Sequence, residues 1–204
     1  MQITKIEKQE KRDRYNLHAD GKFLIAVDAG VVTEAGLSEG DILTKKALTD
    51  LEQRDRFAKA LTRAYRLLIR RSHSTGELAR KLKERGFTPA LVGEVCVHLQ
   101  RLGYLDDRSF ARQWIAFRGI SRGPRLLTAE LRQRRVADEI ITEALGAHGS
   151  DQTETAATLA RRRLDRFRGI PPDEARRKVG AFLTRRGYDY ATVRTVLDEL
   201  VVSE

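Results

Sequence analysis

Apolar residues recur along most of the chain at the three- and four-residue spacing of α-helices, in three similar blocks. The second helix of each block carries two matched apolar positions, which are Leu78 and Leu82, Leu127 and Leu131, and Val179 and Leu183. Successive matches are 49 and then 52 residues apart. A period of this size predicts an array of three-helix repeats in which neighbouring units help to bury each other's apolar faces.

The first helix of the middle block has a stripe of large aromatic residues. Phe110, Trp114 and Phe117 recur at i, i+4 and i+7, so we expect all three to face the core of that repeat. Trp114 is therefore interpreted as a core residue and not as a surface for stacking nucleic-acid bases. Asp106 or Asp107, just before this stripe, can act as the N-cap of the helix.

Residues 2–28 alternate between apolar and polar positions, and Asp20-Gly21 is a strong hairpin signal, so a three-stranded meander is predicted. The sequence thus predicts a mainly α fold, a tandem array of three three-helix repeats with a small N-terminal extension. The predicted parts are a β-meander with a short helix at 1–53, and repeats at 54–105, 106–149 and 150–204.

The net charge of +10 and the pI near 10.0 favour an anionic partner. Residues 1–58 hold 10 Lys and Arg against 11 Asp and Glu, whereas residues 59–204 hold 29 against 18. We therefore expect the repeats to supply most of the affinity. A single cysteine, Cys96, excludes a disulfide scaffold. No apolar run reaches the length of about 20 residues that spans a bilayer, so we expect a cytoplasmic protein without a membrane partner.

Nothing in the sequence suggests catalysis. The four histidines lack the spacing of a zinc site, and neither a glycine-rich phosphate loop nor a nucleophile motif is present. The adjacent side chains of Asp106 and Asp107 diverge, which favours a capping role over a metal or acid pair. We predict that the protein is not an enzyme and has no catalytic, metal-binding or cofactor-binding residues.

Repeat-matched arginines are the most informative polar positions. They occur on the first helices and at the ends of the second helices, where interaction with the helix dipole and contact with an anionic partner both remain open. Denser basic clusters surround them, and a solvated helix surface is the alternative for these. The candidate partner- or nucleic-acid-binding residues are Arg63, Arg70, Arg71, Lys81, Lys83, Arg85, Arg112, Arg132, Arg134, Arg135, Arg162, Arg176, Arg177, Lys178 and Arg186.

Several ordered motifs resemble the RecX family of regulators of the RecA recombinase. They are GYLDD, SFA, GP and an EL pair between Gly103 and Val136, ELARKLKERGF before them and RKVGAFLTRRGY after them. The resemblance covers roughly Arg54 to the C-terminus. One departure is Arg135, where the family usually has a glycine, so that this helix must end without an easy left-handed cap or with modest strain at Arg135.

The resemblance implies a protein that binds the RecA filament and inhibits its ATPase and strand-exchange activities, as a regulator of DNA repair and the SOS response. Single- or double-stranded DNA would be a weaker or secondary partner, and the protein would be a monomer. The alternative is a non-enzymatic DNA-binding protein built of helix-turn-helix-like modules.

Overall fold

A computed structural model of the chain describes residues 1–148 and 152–201. It confirms a mainly α fold with three three-helix repeats and a small N-terminal sheet. The chain forms two compact units. The first contains Met1–Arg71 and Leu78–Leu102, and the second contains Ser72–Glu77 and the chain from Gly103 onward.

The first unit begins with an antiparallel meander of strands β1 (Ile3–Lys8), β2 (Arg14–Ala19) and β3 (Lys22–Asp28), in that order. Leu17 in the central strand lies opposite Ile6 of β1 and Ile25 of β3, and it is fully buried. The β2–β3 turn places Asp20 and Gly21 in the left-handed region, with φ of 50° and 77°. Two adjacent positive φ values are typical of a type I′ hairpin turn, as the Asp-Gly pair predicted.

Helices α1 (Ala29–Glu34) and α2 (Lys45–Leu68) cover this sheet. Buried Val31 and Val32 of α1 and Leu51 of α2 share one core with Leu17 and Val27 of the sheet. A sheet of three short strands is not stable alone, so these helices provide the apolar surface that it needs. Thr44 caps α2, because its hydroxyl accepts a hydrogen bond from the amide of Ala47.

The other two helices of the first repeat are α3 (Thr75–Lys83) and α4 (Pro89–Arg101). Leu78 and Leu82 are fully buried, as predicted. Thr88 caps α4 and Pro89 occupies its first turn, where a missing amide hydrogen costs no helical hydrogen bond.

The second unit carries the middle repeat, with helices α5 (Asp107–Gly119), α6 (Pro124–Gln133) and α7 (Asp138–His148). The last repeat has α8 (Gln152–Leu164), a short 3₁₀ helix (Asp165–Phe167), α9 (Pro172–Arg185) and α10 (Tyr190–Val201). Each repeat has its own apolar core, and the predicted second-helix positions, including Leu131 and Leu183, are buried in both.

The predicted aromatic stripe on α5 is only partly correct. Phe110 is buried and Trp114 is half-buried, but Phe117 is 72% exposed. Ala111 and Ile115 occupy the buried face instead.

The predicted domain boundaries stay predictions. A boundary between residues 53 and 54 falls inside the continuous helix α2. The boundary between 105 and 106 coincides with the Asp106 N-cap of α5. The boundary between 149 and 150 lies outside the described residues.

Candidate partner-binding surfaces

The second helix of every repeat ends in the same way. A residue with positive φ follows the helix, and the next amide donates back to a carbonyl one turn earlier. At the end of α6 this residue is Arg135, with φ of 60°, and the amide of Val136 donates to Leu131 over 3.1 Å. Gly86 and Gly187 take the equivalent positions after α3 and α9. Arg135 therefore adopts the left-handed conformation itself, with the strain that a side chain brings.

The ends of α6 and α9 also make contacts inside the second unit, at two places that we call the first and the second joint. At the first joint, the Ser74 hydroxyl at the start of α3 donates to the carbonyl of Arg134. At the second joint, the amide of Gly123 donates to the carbonyl of Arg186 over 2.7 Å, and the amide of Arg125 donates to Gly187 over 3.1 Å. The positive N-terminal end of one helix thus meets the negative C-terminal end of another, which is favourable.

The joints depend on close backbone contact. A Cβ atom on Gly123 would lie 2.6 Å from the carbonyl carbon and oxygen of Gly187. A Cβ atom on Gly76 would lie 2.5 Å from the Cβ atom of Arg135.

Asp107, considered above as an N-cap of α5, instead accepts a hydrogen bond from the amide of Thr75 at the first joint. Asp106 is the N-cap of α5 and accepts from the amide of Ser109.

The side chains of two matched arginines make contacts within the second unit. The Arg134 guanidinium lies 3.8 Å from the centre of the Trp114 ring. The Arg186 guanidinium donates to the carbonyl of Ser121 over 3.2 Å and lies 5.1 Å from the Phe182 ring. Both side chains are half-buried, so they stabilise the fold and present only part of their charge to solvent.

A single carboxylate organises the arginines around Trp114. Glu130 accepts a hydrogen bond from the Trp114 indole over 2.9 Å and forms ion pairs with Arg118 and Arg122. Burial lowers the pKa of Arg122, and the positive charges of Arg118 and Arg186 lower it further. Trp114 is therefore a half-buried packing residue with a satisfied indole nitrogen, consistent with its predicted structural role.

The remaining candidate residues divide by whether they already have partners. Arg132 forms a two-point ion pair with Asp138, Arg176 pairs with Asp198, and Lys178 pairs with Glu174. The hydrogen bond from Arg132 lowers the pKa of Asp138. Arg71 also has an interaction within the fold. Within residues 1–148 and 152–201, the candidates without an ion pair are Arg63, Arg70, Lys81, Lys83, Arg85, Arg112, Arg135, Arg162 and Arg177.

In the first unit, the structure brings Arg63 and Arg85 together in one open groove with a volume of about 1360 Å³. We call it the sheet–helix groove, because β3, the β1–β2 turn, α2 and the segment after α3 line it. Five cations on its walls make no ion pair in the described part of the chain, namely Lys11, Arg12, Arg63, Arg66 and Arg85. Phe23, which is 60% exposed, also lines it.

The sequence reasoning missed Lys11, Arg12 and Arg66. Arg66 could have been found, because Lys59, Arg63 and Arg66 follow the i, i+4, i+7 spacing that puts side chains on one helix face. Lys11 and Arg12 could not, because they belong to a nearly neutral segment and reach the groove only through the pairing of the sheet.

Buried Asp55 fixes the sheet against α2 at this groove. It forms ion pairs with Arg14 at 2.9 Å and Lys59 at 2.7 Å, and it accepts a hydrogen bond from the amide of Asp28. Burial acts to raise the pKa of Asp55, but the hydrogen bonds and positive charges of Arg14 and Lys59 outweigh it, so the pKa is lowered. Arg14 and Lys59 are thereby neutralised, unlike the other five cations of the groove.

No described helix is both long and apolar enough to cross a membrane. Among the described residues, no cluster of three or more histidine, cysteine, aspartate or glutamate side chains is arranged to hold a metal ion.

Sequence models of four RecX domains match the chain. The model of the regulatory protein RecX N-terminal domain matches residues 1–44, and those of the first, second and third three-helix domains match 60–106, 106–145 and 150–197. These matches together span most of the chain and include the N-terminal sheet, which the resemblance of the motifs did not cover.

Proteins named regulatory protein RecX are similar over most of this chain. The one from Bacillus subtilis (strain 168) is 29% identical over 202 residues, which are 97% of this chain and 76% of that protein. The one from Chlorobaculum tepidum is 37% identical over 151 residues, or 72% of this chain and 91% of that protein. A crystal structure of regulatory protein RecX, 27% identical, covers 97% of this chain and 98% of its own with a TM-score of 0.77.

Proposed function

Because this chain belongs to the RecX family, we propose that it is a cytoplasmic, non-enzymatic regulator that binds the RecA recombinase filament. It inhibits the ATPase and strand-exchange activities of the filament in DNA repair. Its relatives are named as regulatory proteins, which supports a regulatory role and leaves the partner to be tested.

The observation that carries this proposal is the presence of unneutralised cations on successive repeats. Arg112 on α5 and Arg162 on α8 are exposed and form no ion pair with any described residue. Since they contribute no ion pair to folding, their charge is available to an acidic surface. A filament repeats the same surface from protomer to protomer, and two weak contacts within one chain combine through their effective concentration.

The test is the effect of Arg112→Gln/Arg162→Gln on the ATP hydrolysis of recombinase bound to single-stranded DNA. Glutamine keeps helix propensity and much of the side-chain length while removing the charge. One exposed ion pair is worth about 0.2–1 kcal/mol. The concentration of the double variant that gives half-maximal inhibition should therefore rise roughly two- to thirtyfold.

Arg108→Gln/Arg168→Gln is the matched control. Arg108 and Arg168 are exposed cations of the same two repeats, but they are paired with Glu143 at 3.0 Å and Asp165 at 3.3 Å. The control removes the same net charge, so it should inhibit like the wild type. An equal loss in both variants would show that only total charge matters. A wild-type protein that neither binds nor slows the filament at physiological salt would refute the function.

Plain DNA binding is the competing function. Titrating the protein against bare DNA and against recombinase-coated DNA over a salt series distinguishes the two. Equal affinity for both, with a steep dependence on salt, would favour the DNA-binding protein. A filament regulator should bind the coated DNA more tightly, because protein contacts add to the electrostatic attraction.

A further inference from the structure

We propose that the sheet–helix groove of the first unit binds the sugar-phosphate backbone of a single-stranded nucleic acid. This site does not include Arg112 or Arg162, and binding at it does not depend on the recombinase. The proposal rests on the charge of the groove, the partial burial of Arg63 and the exposure of Phe23.

The groove has a local excess of positive charge. Its five unpaired cations face few available acids, because Asp55 is buried and already paired with Arg14 and Lys59. The acidic residues that line it are Asp13, which pairs with Lys8 at 3.6 Å, and Asp28, which caps α1 by accepting from the amide of Gly30, and the cations outnumber them. Like charges gathered without a counter-charge are unfavourable in the empty groove, and a polyanion would neutralise them.

Arg63 supplies a second, independent observation. It is half-buried in the wall of the groove, and its Nε atom is buried without a hydrogen-bond partner among the described residues. An unsatisfied buried donor is costly, and this one belongs to a charged group. Since the guanidinium has no counter-charge in the described part of the chain, an anionic oxygen in the groove would offset the cost of its partial burial. Four of the five unpaired cations are arginines, whose planar fork fits the oxygens of a phosphate.

Phe23 distinguishes a nucleic acid from an acidic peptide. Its ring is 60% exposed on β3 beside the cations, with one edge contact to His18 at 5.9 Å between ring centres. An exposed aromatic ring next to a basic groove can stack a base while the cations hold the backbone, which is how proteins bind single strands without reading sequence. An acidic peptide has carboxylates for the arginines but no base for this ring.

The shape of the site favours one strand over a duplex. Proteins that read duplex DNA insert a projecting helix or ribbon into the major groove. Here the cations line a concave surface, where a flexible single strand can follow the walls. Unstacked bases of a single strand are also available to Phe23, whereas the bases of a duplex are stacked on each other.

The test uses the full-length protein and a fluorescently labelled oligothymidylate, with fluorescence anisotropy measured over a salt series and without recombinase. The groove variant is Arg12→Gln/Arg66→Gln/Arg85→Gln, in which all three residues are exposed and form no ion pair with any described residue. Each lost phosphate contact lowers the salt slope by about 0.7, so the slope should flatten by about 2. The affinity should fall roughly tenfold to a hundredfold at 0.1 M salt.

The control is Lys45→Gln/Lys46→Gln/Arg54→Gln, which removes three exposed cations of the same unit that lie outside the groove. It should change the affinity by less than about threefold, and circular dichroism melting should show that both variants are folded. Equal losses in the two variants would assign binding to total charge and overturn the proposal. Absence of wild-type binding to the oligonucleotide at low salt would overturn it as well.

Two further measurements distinguish a single-stranded nucleic acid from an acidic protein and from a duplex as the ligand of the groove. Phe23→Leu should weaken oligothymidylate binding roughly fivefold or more. Phe117→Leu, which alters an exposed aromatic residue outside the groove, should leave it unchanged. If the groove variant loses affinity for polyglutamate but not for oligothymidylate, the groove takes an acidic protein and the proposal is wrong. Preferential loss of duplex binding would also contradict it.

Discussion

Asp55 is a buried acid in the middle of α2, where its negative charge is tolerated because two cations and a backbone amide surround it. Removing one partner from such a group leaves the others buried and unpaired, which costs more than the pair itself contributes. The residue therefore holds the sheet and α2 together, and the groove depends on it.

We expect Asp55→Asn to lower the free energy of unfolding of the first unit by about 3 kcal/mol at pH 7, because half-exposed Lys59 limits the loss. The folded-state pKa of Asp55 lies below its unfolded value of about 3.9. Its contribution is therefore complete above pH 4 and disappears as the pH falls through the folded pKa. Urea unfolding at several pH values should show the two proteins converging in acid.

Asp50→Asn provides the comparison, since Asp50 is exposed on the same helix. It should change the unfolding free energy by no more than about 0.5 kcal/mol at any pH. If Asp55→Asn and wild type instead keep a constant difference down to pH 2, the ionised carboxylate is not the stabilising form.

Arg135, at the end of α6, has a strained backbone because its φ is 60°. Arg135→Gly should raise the free energy of unfolding by about 0.5–1 kcal/mol, because relief of left-handed strain exceeds the added flexibility of the unfolded chain. Gln133→Gly, at the last helical residue, should lower it by about 1 kcal/mol. Thermal unfolding of both variants tests the assignment, and a loss of stability in Arg135→Gly would contradict it.

At the scale of helices, the second joint attaches the last repeat to the middle one, and the first joint ties Ser74 to the end of α6 within the second unit. The contacts are made by backbone atoms at Gly123 and Gly187, and by the Ser74 hydroxyl and the Arg134 carbonyl. Backbone contacts tolerate almost no added volume, so the glycines at the joints are required for steric reasons.

Gly123→Ala should therefore destabilise the second unit by about 2–3 kcal/mol, since the new methyl group would meet backbone atoms at 2.6 Å. Gly93→Ala is the matched change on a helix, where the new group meets no described atom within 4 Å apart from its chain neighbours and the backbone of its own helix, and it should stabilise by about 0.5–1 kcal/mol. Differential scanning calorimetry of both variants measures the contrast. Equal effects of the two changes would show that the backbone at the second joint can move to accommodate the methyl group without loss of unfolding free energy.

The second and third helices of each repeat could largely be predicted from the sequence, because they carry clear apolar periodicity. Leu78, Leu127 and Val179 are all buried as their spacing indicated. The first helices were harder, since alanines such as Ala60 and Ala111 fill the buried face and larger neighbours remain at its margin. An apolar pattern is recognised mainly from large apolar residues, so it misses a helix face whose buried side chains are small.

At the scale of the whole molecule, the distribution of charge along the sequence differs from its distribution in space. The segment 1–58 is nearly neutral, yet it contributes Lys11 and Arg12 to the sheet–helix groove of the first unit. Its acids are used in caps and ion pairs, as Asp28 and Asp55 show. Net charge counts every residue equally, whereas a partner meets only those that folding leaves unpaired. The sequence therefore predicted Arg63 and Arg85 as candidates but could not place them in a common site.

The hydrogen bond from Gly123 to Arg186 has a consequence for how the repeats move. Its donor belongs to the middle repeat and its acceptor to the last, so this amide proton exchanges with solvent deuterium when the joint separates, even if both cores stay folded. Its exchange rate therefore reports the opening of the joint, whereas amides within the helices report the unfolding of one repeat. A partner that binds both repeats would lower the exchange rate of this amide proton, because it would hold the second joint closed.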